Sequence, residues 1–231
     1  MFYFGDPTFI LLIPALIFAF IAQGMVQSAF RKYSRQSSQK GYTGAQVARD
    51  ILDRVGLRDV PVEITPGQLS DHYDPTKRVM RLSPDVYHSN SIAALGVAAH
   101  ETGHAIQHME GYKFLNARNA IFPIASFGSQ LAFPVFFIGL LFRSSLGYSL
   151  MTLGIYLFLG ALAFQVITLP VEFNASRKAL MLLNEGNYLT TDETAKAKKV
   201  LSAAAMTYIA AAAMSAVQLL RLIILRGSRD D

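Results

Sequence analysis

The sequence predicts a mainly α protein: a multi-span transmembrane helical chain carrying a small α+β domain on the cytoplasmic side. Three observations predict this class. Four long stretches carry no charge, positive charge gathers between particular stretches, and the longest polar region alternates between helix-like and strand-like apolar spacing.

The uncharged stretches come first. The chain has 231 residues, 52% of them hydrophobic, and residues 8–30, 121–142, 144–171 and 201–220 contain no Asp, Glu, Lys or Arg. Residues 222–225 extend the last stretch past Arg221. A hydrocarbon core of about 30 Å takes about 20 apolar residues in a helix, and each stretch reaches that length. Buried helices of a soluble protein are the competing reading, but such helices seldom run so far without a charge. The fourth stretch is rich in alanine, which suits close helix packing better than lipid contact. The expected division is therefore an N-terminal anchor at 1–30, a cytoplasmic domain at 31–120, a transmembrane hairpin at 121–171, a cytoplasmic helix or loop at 172–202 and a last span at 203–225.

Charge sets the expected orientation. Of the 21 Lys and Arg, twelve lie in 31–120 and five in 170–202, whereas the loop between the second and third stretches holds Arg143 alone. Cytoplasmic loops collect positive charge, so 31–120 and 170–202 should face the cytoplasm of a multi-pass membrane protein, with both termini outside. The same distribution accounts for the net charge of +5 without nucleic acid, since no basic stripe with interleaved aromatics is present. Met1 to Asp6 lacks the positive start of a secretory signal, so the first stretch reads as an uncleaved anchor. Cysteine is absent, which excludes disulfides and cysteine-based zinc sites.

Within the polar region, Val47, Ala48, Ile51, Leu52 and Val55 share one helical face. Thr43 and Gln46 stand at capping-box spacing, and Gly56 follows the last turn. Residues 60–65 (VPVEIT) and 78–82 (RVMRL) read as strands, with the turn-rich segment 66–77 between them. Ser83-Pro84 opens a short helical turn. A long helix is then expected over 91–109.

That helix carries His100-Glu101-Thr102-Gly103-His104. Histidines four apart lie on one helical face, one turn apart, and can reach one ion. Zinc accepts imidazole nitrogen and keeps an open position for water in catalytic sites. Glu101 stands where its carboxylate can reach that water as general base. Two histidines and a carboxylate would be costly to bury in this otherwise apolar helix without a metal or partners. One zinc per chain is expected.

A third protein ligand is needed. A metzincin would continue with Gly and His at 107 and 110, where this chain has Gln107 and Glu110. His108 lies about 12 Å along the axis from His100, too far for one ion, and reads as a neighbouring or surface group. A hairpin of two spans would return the chain to the same side near Glu172. Topology alone does not choose Glu172 over Glu185, Asp192 or Glu193, although its place beside the span and next to small residues favours it. Pairing of Glu172 with Arg177 is the plainer alternative.

The stretch from Leu95 to Gln107, with Asp71-His72-Tyr73-Asp74-Pro75, Leu82-Ser83 and Val171-Glu172-Phe173-Asn174-Ala175-Ser176-Arg177, resembles the membrane zinc metallopeptidases of the YugP type over nearly the whole chain. More distantly it is similar to the HtpX and CAAX prenyl protease gluzincins. The resemblance implies a zincin-like domain, Glu172 as third zinc ligand, and a peptide or membrane-protein substrate. It also implies peptide docking on a sheet edge, which 78–82 could supply. Ser176 stands where the distant relatives carry Asp, so a carboxylate that would orient a ligand histidine is missing. His72 and Tyr73 are candidates to contact the transition state, and Arg177 to pair with Glu172 or a substrate carboxylate. The expected activity is a metalloendopeptidase. A catalytically silent zinc-containing membrane scaffold or regulatory partner is the alternative, against which the retained Glu101 argues. A zinc transporter is disfavoured because no stretch carries a ligand set at its middle.

Overall fold

The computed structural model describes residues 7–228. Met1 to Asp6, on which the anchor expectation partly rests, and Arg229 lie outside them. A short 3-10 turn at Pro7–Leu11 leads into α1 (Leu12–Tyr33). There follow α2 (Gly44–Arg54), β1 (Val62–Ile64), β2 (His72–Asp74), β3 (Val79–Leu82), α3 (Pro84–Tyr87) and α4 (Ile92–Met109). Three long helices close the chain: α5 (Lys113–Leu141), α6 (Ser145–Glu185) and α7 (Thr191–Gly227). The helix that includes α1, together with α5, α6 and α7, makes four helices long and apolar enough to cross a membrane.

The chain forms two compact units. One comprises described residues 7–22, 116–169 and 207–228. Ala132, Phe136, Met151, Ile155, Phe158 and Leu222 are its buried apolar cluster. Phe127, Ile124 and Phe20 are exposed, as lipid-facing residues would be. Pro123 and Pro134 sit inside α5.

The other unit comprises residues 23–115 and 170–206. Its α2 forms as its sequence dictates. Thr43 and Gln46 make a complete capping box, and Val47, Ala48, Ile51 and Leu52 are all buried. They pack with Leu95, Ala98 and Ala99 of α4 and with Met80 and Leu82 of β3. Burial of each Ile or Leu side chain stabilises by about 1.5–3 kcal/mol.

The sheet departs from expectation. Its order is β1-β3-β2, with β1 parallel and β2 antiparallel to β3. The expected strand at 78–82 is therefore central, both of its edges are occupied, and it offers no edge to a peptide. Its buried Val79, Met80 and Leu82 fit that position. His72 to Asp74, read as part of a turn, forms the edge strand β2 instead. The turn is shorter: Asp74 Oδ1 accepts from the backbone N–H groups of Thr76 (2.9 Å) and Lys77 (3.0 Å), and Arg78 takes φ 50°.

The segment after the third apolar stretch, expected as helix or loop, begins as a continuation of the helix before it. Helix α6 runs through Pro170 to Glu185 without a break. Beyond the proline, Val171, Ala175, Ala179 and Leu183 recur every four residues and are all fully buried. This apolar stripe keeps the chain helical, while the proline removes a single N–H donor. Tyr188 and Leu189 follow in the core, and Ala197 and Leu201 of α7 complete it.

Candidate metal centre

Two helices build the site, and each uses the same i, i+4 geometry. On α4, His100 and His104 stand one turn apart, their rings 4.8 Å between centroids and nearly perpendicular. On α6, Glu172 and Ser176 stand one turn apart. The helices run antiparallel, since His100 meets Ser176 and Gln107 meets Val171 and Asn174. They approach closely at Gly103, where a methyl group would stand 2.8 Å from the carbonyl oxygen of Ala175. The glycine of the five-residue motif therefore sets the helix separation beside His100, His104 and Glu172.

His100 Nε2 lies 3.3 Å and His104 Nε2 3.6 Å from Glu172 Oε2. One donor atom from each of the three residues lies within 4.8 Å of the others. Two donors held tetrahedrally at about 2.0–2.1 Å from one zinc ion stand about 3.3–3.4 Å apart, so the residues present fit the ion. Imidazole, imidazole and carboxylate form a donor set that zinc accepts. The other acidic candidates lie elsewhere. Glu193 forms the capping box of α7 with Thr190 and also accepts from Gln39 N–H, Asp192 pairs with Lys196, and Glu185 is exposed.

Each histidine has a partner at its far nitrogen. His100 Nδ1 is 3.2 Å from the Ser176 hydroxyl. His104 Nδ1 is 3.0 Å from Gln107 Oε1. The Gln107 amide nitrogen donates to Val171 O (2.8 Å) and Asn174 Oδ1 (2.9 Å). The orientation left unexplained by the missing carboxylate is thus supplied by a hydroxyl and a buried amide. Such partners orient ligand imidazoles and raise metal affinity.

Glu101 is buried at 8% exposure, and burial pushes its carboxyl above the usual carboxylate range despite the neighbouring imidazoles. Its Oε2 accepts from Tyr73 N–H at 3.1 Å. Strand β2 is thereby fastened beside the carboxylate, and Asp71 anchors the start of that strand to Ser83 N–H (2.7 Å) and Oγ.

The remaining expected residues fall as follows. The Tyr73 hydroxyl is engaged by His108 Nδ1 at 2.9 Å. It is the Tyr73 amide that meets the site. His72 is exposed with Nδ1 on Ser70 O. Arg177 is exposed, and the carboxylate of Glu172 faces the two imidazoles. Lys178 instead clamps the helices, pairing with Glu110 at 2.8 Å. Gln107, Asn174 and the Tyr73 amide were missed from sequence. The i, i+3 spacing of Gln107 from His104 is the one signal that pointed to any of them.

The pattern of a family described as "Putative neutral zinc metallopeptidase" matches residues 8–227. The chain belongs to this family. It is 50% identical over 222 residues to a Bacillus subtilis (strain 168) protein described as "Putative membrane protease YugP", covering 96% of this chain and 97% of that protein. No solved structure matches the chain. Family membership implies zinc, and the cluster of His100, His104 and Glu172 is where this chain would hold it.

Proposed function

We propose that the chain is a zinc-dependent endopeptidase of the gluzincin type, cutting peptide bonds in membrane or membrane-associated proteins. The observation that carries this reading is the convergence of His100, His104 and Glu172 beside the buried carboxylate of Glu101.

His100, His104 and Glu172 would hold one zinc ion. When bound, zinc acidifies water in its open position and polarises a carbonyl. Glu101 takes the proton from the attacking water and hands it to the leaving amine. Burial raises its affinity for protons, which suits a group that takes a proton and then gives it up. The Tyr73 amide fixes one oxygen of the carboxylate and leaves the other for the transferred proton. β2 is the outer strand of the sheet, and an extended peptide would add beside it through groups other than the Tyr73 N–H, which Glu101 holds. A structural zinc site has no use for a base, which favours hydrolysis over a silent scaffold.

The charge distribution supports a catalytic unit facing the cytoplasm with both termini outside. A reporter fused near Tyr73 is expected to read cytoplasmic, and an external reading would reverse the orientation. The chemistry is tested by Glu101→Gln. The variant should retain about one zinc per chain and lose at least about 100-fold in cleavage of a membrane-protein substrate. Full activity with Gln at this position would refute the mechanism.

A further inference from the structure

The last turns of α1 carry a polar face that neither the metal centre nor the sheet uses. Gly24, Gln27, Ser28, Arg31, Lys32 and Arg35 line a concavity of about 540 Å³ there. Gly24, Ser28, Arg31 and Arg35 recur at intervals of four, three and four, the spacing of one helical face. All six side chains or backbones are exposed. No acidic residue occurs from Thr8 to Arg49. Among the described residues, Arg31, Lys32 and Arg35 have no carboxylate partner, and Lys32 only lies over the Tyr33 ring.

The order along the face is informative. Nearest the apolar part of the helix stands a glycine, then an amide and a hydroxyl, then the cations. Charges scattered around a helix end would serve orientation equally well and would not need neutral donors on the same face. A phosphodiester at the boundary of a bilayer needs this sequence: room for the glycerol, neutral donors to the phosphate oxygens, and cations beyond them. The other side of α1 is committed to protein, with Tyr33 packed against Ala93 and Val200.

We infer that this face is a binding site for the headgroup of an anionic phospholipid, with Arg31, Lys32 and Arg35 taking the charge and Gln27 and Ser28 the phosphate oxygens. The inference rests on the membrane reading of α1 and is independent of the peptidase reading. Each cation near an anionic lipid surface favours binding by about fivefold.

The test uses the full chain purified in mixed micelles of phosphatidylglycerol and phosphatidylcholine, followed by quantification of retained lipid. The wild-type chain should enrich phosphatidylglycerol by about tenfold or more. Arg31→Gln with Arg35→Gln should abolish most of that enrichment at an unchanged melting temperature, which reports an intact fold. Arg31→Lys with Arg35→Lys should keep it. Millimolar inorganic phosphate should leave the bound lipid in place. Equal retention of the two lipids, retention unaffected by the Gln variant, or displacement by phosphate alone would each overturn the site. Release of the chain from membranes by alkaline carbonate would overturn the membrane reading and this site together, whereas loss of lipid preference alone would overturn only this site.

Discussion

Gln107 is fully buried and uses both ends of its amide, holding His104 with one and α6 with the other. Replacing it with Leu keeps the volume and removes all three contacts. Zinc affinity is expected to fall about 10- to 100-fold, as read by competition with a chelator. Gly103 acts through what it lacks. Gly103→Ala puts a methyl 2.8 Å from Ala175 O, and overpacking of this kind costs about 1–3 kcal/mol. Because Glu172 and Ser176 ride on the displaced helix, zinc content should fall along with the melting temperature. The sequence made His100, Glu101 and His104 legible because three residues in one turn encode their own geometry. Gln107 and Ser176 were not, because a contact between an amide or hydroxyl and a helix 64 or more residues away leaves no local pattern.

Between elements, α2 is tied to the turn after α6 by Tyr188, whose hydroxyl donates to Asp50. That bond, more than the nearby Arg54, holds the Asp50 carboxyl below its ordinary range. Burial, followed by the same bond, pushes the Tyr188 phenol above its ordinary range. A depressed acid stabilises above its unfolded pKa of about 4 and loses that contribution as pH falls through the folded value. A raised phenol stabilises below about 10 and loses it as pH rises through the folded value. Tyr188→Phe should therefore cost about 1 kcal/mol at neutral pH, since Tyr188 is buried while the Asp50 side chain is 42% exposed. The melting-temperature gap from wild type should close at both extremes. The strands show why element reading was partial. Residues 79–82 carry an apolar pattern that announces a strand, but nothing in it tells a central strand from an edge. His72 to Asp74 has three polar or half-polar residues before a proline and gained its strand from its partner, not its composition.

For the whole chain, the unit that carries the candidate metal centre is assembled from two separated stretches. Ala179, Leu183, Tyr188, Leu189, Ala197 and Leu201 belong to the same core as α2 and α4. Residues 31–120, which the sequence marks off as a domain, lack these side chains and Glu172. Expressed alone, that fragment should show no cooperative melt and no zinc binding, whereas co-expression with 170–206 should restore some of both. The four apolar stretches were legible because length and absence of charge suffice to find them. The continuity of α6 past Pro170 was legible only in the stripe from Val171 to Leu183, which the proline obscured.

The arrangement around Gln107 also decides where protons sit. Its nitrogen faces two carbonyl oxygens, so its oxygen must be the atom facing His104 Nδ1. An acceptor there keeps the hydrogen on Nδ1 and fixes the tautomer whose lone pair is on Nε2. Acid and zinc then compete for a single pair of electrons at His104. Loading the ion in mild acid should release protons to the medium, and its midpoint should follow imidazole ionisation and not carboxylate ionisation.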